Sequence, residues 1–190
     1  MKVMVVSAIS RESSTCFVLA QKLCELAANH GVQVDFTHPA NAALPIQDGT
    51  VAYDDPRSLA WQERIGAIHA HLWVSPEYHS GMTGGMKNLF DHCPKEPLRG
   101  DVVGLFALAG GAMAALNTLN NMSVVARSLG AWVAPEYCAV NSNDIKEGLD
   151  DKMVERLDRI VNTVIDTARR LQPEAEQEAG GIPFLSLIHI

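Results

Sequence analysis

Apolar residues in this chain alternate between two rhythms. Val3-Met4-Val5-Val6 is an unbroken apolar run closed by small polar residues, the pattern of a strand buried on both faces of a parallel sheet. From Ser14 the period changes. Phe17, Ala20, Leu23, Cys24 and Ala27 recur at helical spacing, and Gly31 stands where a C-terminal glycine ends a helix. Val32–Phe36 alternates as a short second strand, and Thr37–Asp55, with Pro39, Pro45 and Gly49, reads as a long loop. The pattern then predicts a helix over Pro56–Gly66, a third strand over Ile68–Val74 ending at Ser75-Pro76, and a short helix over Gly84–His92. A fourth strand over Asp101–Leu108 is broken by Gly110-Gly111. A helix through Arg127 and a fifth strand over Ala131–Ala134 follow. In the last helix Met153, Leu157, Ile160, Val161, Val164, Ile165, Ala168 and Leu171 form one apolar stripe with charged residues opposite.

Strand and helix alternating five times predict an α/β fold, a doubly wound parallel sheet with helices on both faces. Ligands of such sheets bind outside the carboxyl ends of the strands. That rule selects three loops: Ser7–Thr15, Ser75–Gly85 and Ala109–Ala112. The length of 190 residues suits one domain, expected over residues 1–172. Residues 173–190 differ in composition, with Glu174, Glu176 and Glu178 followed by Gly180-Gly181 and an apolar end from Pro183. This tail reads either as a remnant appended to the natural chain or as an arm that packs on a neighbouring subunit.

The charge balance, 15 Lys+Arg against 22 Asp+Glu for a net −7, carries no basic stripe and argues against nucleic acid as a partner. The uncharged stretch Val102–Ala126 is interrupted by glycines and asparagines. Its apolar part falls short of the ~20 residues of a membrane span, so no membrane partner is expected. Cys16, Cys24, Cys93 and Cys138 form no C-x-x-C pair and no zinc-ligand spacing, which suits free thiols in a reducing cytoplasm. His69 and His71, two apart on a strand, should face one way, but no third ligand stands near them to make a metal site.

The first loop, Ser7-Ala8-Ile9-Ser10-Arg11-Glu12-Ser13-Ser14-Thr15, precedes a helix N-terminus, where backbone N–H groups and the helix dipole favour an anion. Hydroxyls of Ser10, Ser14 and Thr15 and the charge of Arg11 suit a monophosphate. The same serines also fit a plain helix cap by Ser13 or Ser14, with Arg11 merely solvated. A P-loop lysine and a G-x-G-x-x-G are both absent, which disfavours ATP and a dinucleotide fold. The second loop is more specific: Pro76-Glu77-Tyr78-His79, a glycine-containing turn, then Met86-Lys87-Asn88-Leu89-Phe90-Asp91.

That second loop resembles the hallmark of the NADPH-dependent FMN reductase family, approximately P-E-Y-N, a glycine turn and L-K-N-x-x-D. The resemblance extends from residue 1 to about 172 and includes Leu44-Pro45. It implies a flavodoxin-like five-stranded sheet in the order 2-1-3-4-5, FMN as cofactor and NAD(P)H as co-substrate. Position by position, it implies that Arg11 and Ser14, with Ser10 and Thr15, contact the FMN phosphate. Pro76, Glu77, Tyr78 and His79 would border the flavin ring largely through backbone groups, and Gly110-Gly111 would approach it from the other side. No acid–base residue stands out as catalytic, as expected where the flavin carries the hydride. Lys87 and Asp91 would pair across the interface of a homodimer or homotetramer; a solvated pair within the helix is the simpler alternative. The chain departs from the family at Ala8-Ile9, where Gly-Ser is usual, and at His79, where Asn is usual. The implied activity is reduction of a small-molecule acceptor such as a flavin, quinone, azo dye, nitroaromatic or metal oxyanion. The alternatives are a flavodoxin-type electron carrier and a flavin-free scaffold.

Overall fold

The computed structural model describes residues 1–110 and 115–172. Gly111 and the tail over 173–190 lie outside the described residues. Strands β1 (Lys2–Ser7), β2 (Gln33–Thr37), β3 (Ala70–Pro76), β4 (Val102–Ala109) and β5 (Trp132–Val133) run parallel, and the sheet order is β2-β1-β3-β4-β5. Val3 to Ser7 of β1 and Ala70 to Ser75 of β3 are buried along their whole length. That is why these strands read as continuous apolar runs rather than as alternating ones.

The fifth position of the sheet is shared. β5 is only Trp132–Val133, paired with Val102–Val103, and β6 (Cys138–Asn141) pairs farther along β4 with Phe106–Ala109. The expected strand over Ala131–Ala134 is therefore shorter than its pattern suggested, and a second segment resumes its line. Pro135 lies in the gap, where its missing N–H cannot enter a ladder. Two further differences fall in loops. The stretch Thr37–Asp55 contains helix α2 (Pro39–Ala42) and a 3-10 turn over Val51–Asp54.

Helices α1 (Thr15–Asn29) and α7 (Asp151–Leu171) cover one face of the sheet. α7 presents Leu157, Ile160, Val161, Val164 and Ile165, all fully buried. Each such side chain contributes roughly 1.5–3 kcal/mol on burial. The exposed Arg159–Glu136 pair at 2.7 Å belongs to a class worth about 0–1 kcal/mol. Packing, not surface charge, holds α7 in place. On the opposite face Trp73 stacks on Phe90 of α4 (Gly84–Asp91) with ring centroids 3.9 Å apart. Trp61 of α3 (Pro56–Gly66) donates its indole N–H to the Leu89 carbonyl at 2.7 Å. α5 (Leu116–Ser128) packs along β4, and α6 (Ser142–Glu147) follows β6, capped by Asn141.

α7 packs tightly against the sheet at Gly104. A Cβ there would lie 2.8 Å from Val164 Cγ2 and 3.2 Å from Leu72 Cδ2. Gly104→Ala should therefore destabilise the fold by about 1–3 kcal/mol through overpacking, read as a lower urea midpoint. An unchanged midpoint would show that α7 does not seat on β4 this closely.

Candidate functional site

β1 and β3 are neighbours in the sheet, yet the chain leaves β1 for β2 on the far side. A crevice opens where the two connections diverge. Its first wall is the loop from Ala8 to Ser14. The Ala8 N–H continues the ladder to the Val74 carbonyl at 2.8 Å, and the buried Ser7 hydroxyl donates to the Ile9 carbonyl at 2.8 Å. Ser14 is the N-cap of α1, its hydroxyl accepting from the Phe17 N–H at 3.1 Å. The Ser10 hydroxyl accepts from the Ala40 N–H of α2 at 2.9 Å, which leaves its own proton to donate. Backbone N–H groups of Ser10, Arg11, Glu12 and Ser13 meet no acceptor among the described residues, and the first turn of α1 carries no acidic residue. Arg11 is exposed and enters no ion pair with a described residue. Unspent donors stand at a helix N-terminus there, with Arg11 in the same loop, an arrangement that suits a phosphate.

Beyond the loop, His38 at the end of β2 caps α2. Its Nδ1 accepts from the Asn41 N–H at 3.3 Å, and the His38 N–H donates to Asn41 Oδ1 at 2.9 Å. Burial among Phe17 and Phe36 pushes its imidazole below the ordinary histidine range, against the pull of Glu12, which keeps Nδ1 an acceptor.

The second wall is the loop after β3. The Glu77 N–H donates to the Leu108 carbonyl at 2.8 Å, so its backbone follows β4. Tyr78 and Gly81 exchange backbone bonds at 2.9 and 3.1 Å around His79 and Ser80, which both have positive φ, +49° and +65°. Tyr78, His79 and Ser80 are exposed. Thr83 then does two things. Its hydroxyl caps α4 through the Met86 N–H at 3.1 Å and also reaches the Ala8 carbonyl at 3.2 Å, tying the second loop to the first. Gly85 is close-packed, since a Cβ there would stand 3.0 Å from Pro39 Cγ.

Glu77 also has a role its side chain alone performs. Ala115, the residue before α5, has φ +75° and no side chain able to cap. Glu77 Oε2 instead accepts from the Thr118 N–H at 3.2 Å and the Thr118 hydroxyl at 3.3 Å. A carboxylate from one loop thus caps the helix that follows the next loop. Asn121 adds to this link by accepting from the Met82 N–H at 3.3 Å.

The structure thus places Ser10, Arg11, Ser14 and Thr15 on one wall and Pro76, Glu77, Tyr78 and His79 on the other. Gly110 lies just beyond β4, where an added Cβ would meet no described neighbour within 4 Å, and Gly111 is outside the described residues. Lys87 and Asp91 bond to each other within α4, both partly exposed. His69 and His71 share one face, as their spacing implied, and both meet the buried Asp101, at 2.8 and 3.4 Å. That cluster stands at the opposite end of β3 from the loops. Burial pushes the Cys16 thiol, beneath the first loop, up to about 11 and the Cys93 thiol up to about 12. In both, burial disfavours the thiolate. Sequence reasoning missed Thr83, Thr118, Asn121 and His38. Thr83, directly before a helix, carried a readable capping signal; the others act through contacts distant in sequence.

The sequence profile of a family described as NADPH-dependent FMN reductase matches residues 1–144. An NADPH-dependent FMN reductase ArsH of Acidithiobacillus ferrooxidans is 28% identical over 136 residues, which are 69% of this chain and 56% of that protein. An FMN-dependent NADPH-azoreductase of Staphylococcus haemolyticus is 26% identical over 156 residues, 80% of this chain and 82% of that protein. The chain thus spans little more than half the length of the first relative and most of the second. Among solved structures, the flavoenzyme FerB, an NAD(P)H:(acceptor) oxidoreductase of Paracoccus denitrificans, has a TM-score of 0.71 at 19% identity. That match covers 89% of this chain and 97% of the other, and it shows the likeness of fold.

If Glu77 caps α5, Glu77→Ala should cost about 1 kcal/mol and speed amide exchange at Thr118, while Glu77→Gln, which keeps an acceptor oxygen, should retain most of both. Equal behaviour of the two variants would show that the carboxylate does not cap the helix.

Proposed function

The chain belongs to the NADPH-dependent FMN reductase family, and from that membership we propose that it is an oxidoreductase passing reducing equivalents from NAD(P)H through bound FMN to a small-molecule acceptor. The observation that carries this reading is the donor-rich loop at the sheet's switch point. Its unspent amides, the Ser10 hydroxyl and Arg11 stand at the N-terminus of α1. A phosphate monoester satisfies all of them at once. The residues present therefore fit FMN.

The chemistry FMN supplies when bound is hydride transfer between nicotinamide and acceptor. The chain's own residues bind and orient. Arg11 neutralises phosphate charge. Ser10, held by Ala40, directs a donor toward the phosphate. Pro76 to His79, kept in place by the Glu77–Leu108 and Glu77–Thr118 bonds, would border the flavin ring through backbone groups. Thr83 holds the two walls at a fixed separation. The exposed ring of Tyr78 would offer the flavin an aromatic surface. Acceptors of the flavin, azo and quinone classes are all consistent with this geometry.

Two measurements test the proposal together. Anaerobic mixing of the FMN-loaded chain with NADPH should bleach the visible flavin absorbance in a stopped-flow instrument. Arg11→Ala should weaken FMN binding about 10-fold or more, the loss of one charge-assisted hydrogen bond. FMN that binds but is not bleached would make the chain a carrier rather than a reductase. A chain that ignores FMN would make it a scaffold.

A further inference from the structure

The tip of the loop between β3 and α4 keeps two side chains where they cost free energy. His79 (φ +49°) and Ser80 (φ +65°) both sit in the left-handed region, and the Tyr78–Gly81 backbone pair closes around them as a two-residue turn. For a residue bearing a Cβ that conformation is roughly 1–2 kcal/mol less favourable than the right-handed one. Glycine or asparagine fills such positions more cheaply. Neither the His79 imidazole nor the Ser80 hydroxyl has a partner among the described residues, so neither is retained for an internal bond. Strain of this kind collects where a side chain is needed for function.

The surroundings are otherwise poor in groups able to release a proton. From Val102 to Ala126 the sequence has no charged residue, so β4 and the facing turns of α5 supply none. Between Ser75 and Gly85 the ionisable groups are Glu77, Tyr78 and His79. The Glu77 carboxylate accepts from Thr118. On α4, Lys87 and Asp91 are spent on each other, and across the crevice the first loop carries Arg11 and Glu12. Tyrosine ordinarily holds its proton to about pH 10, whereas imidazole exchanges one near neutrality. Among these groups an imidazole is the one suited to give a proton at neutral pH and recover it from solvent.

We propose that His79 is the proton donor to the acceptor, and that the chain suits acceptors which take up a hydride and a proton together, an azo compound being the test case. This rests on the reductase reading above. NADPH, through the bound cofactor, supplies the two electrons as hydride, which forms an N–H bond at one azo nitrogen. The imidazolium N–H bond of His79 breaks as its proton forms the second N–H bond at the other nitrogen. The product is the hydrazo compound, and the neutral imidazole regains its proton from water.

The experiment compares the FMN-loaded wild type with His79→Asn, which tolerates the left-handed turn. Turnover with a water-soluble azo dye is measured against turnover with ferricyanide, which takes electrons without a proton. The ratio of azo to ferricyanide turnover should fall about 100-fold or more in His79→Asn. The wild type's azo kcat/KM should decline with rising pH, and that decline should be absent in His79→Asn. By NMR, the His79 imidazole C–H resonance, assigned by its loss in the variant, should shift when FMN is added to the apoprotein. An unchanged ratio and pH profile, or a resonance that FMN leaves in place, overturns the proposal while leaving the reductase reading intact. A wild type that NADPH does not bleach overturns both.

Discussion

The parallel register of β1 against β3 is the constraint on which the rest of the site depends. It runs from Val3 opposite Ala70 to Ser7 opposite Val74, and the Ala8 N–H extends it by one bond to Val74. β3 runs only two residues past this point, to Pro76, so the loops that leave the two strands start close to each other. Because β2 lies on the other side of β1, the chain turns away on one hand and returns on the other, which leaves the crevice between. The burial of both strands on both faces makes this register costly to slip, since a shift by one residue would exchange every side chain between the two helical layers.

On that base a few polar bonds set the finer geometry. Thr83 spans the walls by capping α4 and reaching the Ala8 carbonyl, so one hydroxyl fixes both the start of a helix and the width of the crevice. Glu77 links the second loop to α5 in the same way, from the other side. Each is worth on the order of 1 kcal/mol, small beside the burial of the sheet. Together they are comparable to the strain of one left-handed residue and offset part of that at His79 and Ser80. The apolar core supplies the stability, and the polar bonds decide where a few exposed groups point.

Much of this was legible in the sequence, for physical reasons that differ by element. β1, β3 and β4 were readable because double burial leaves unbroken apolar runs, and α7 because its single buried face imposes a helical stripe. β6 was not, since Cys138-Ala139-Val140-Asn141 is short and follows Pro135. α2 was hidden because its cap is a histidine, a residue outside the usual capping set. The loops themselves could be located from strand order and from the Pro76–His79 and Lys87–Asp91 strings. The partners of Glu77 and Ser10 could not. Thr118 lies 41 residues from Glu77 and Ala40 lies 30 from Ser10, and no local periodicity records a contact at such a distance.

The central claim is that the loop between β1 and α1 is built for the phosphate of FMN. Calorimetric titration of the apoprotein with FMN and with riboflavin, which differ by that phosphate alone, tests it most directly. Several charge-assisted bonds at roughly 1.5–3 kcal/mol each predict that FMN binds at least about a hundredfold more tightly. Equal affinities would contradict the account and place the flavin's recognition elsewhere.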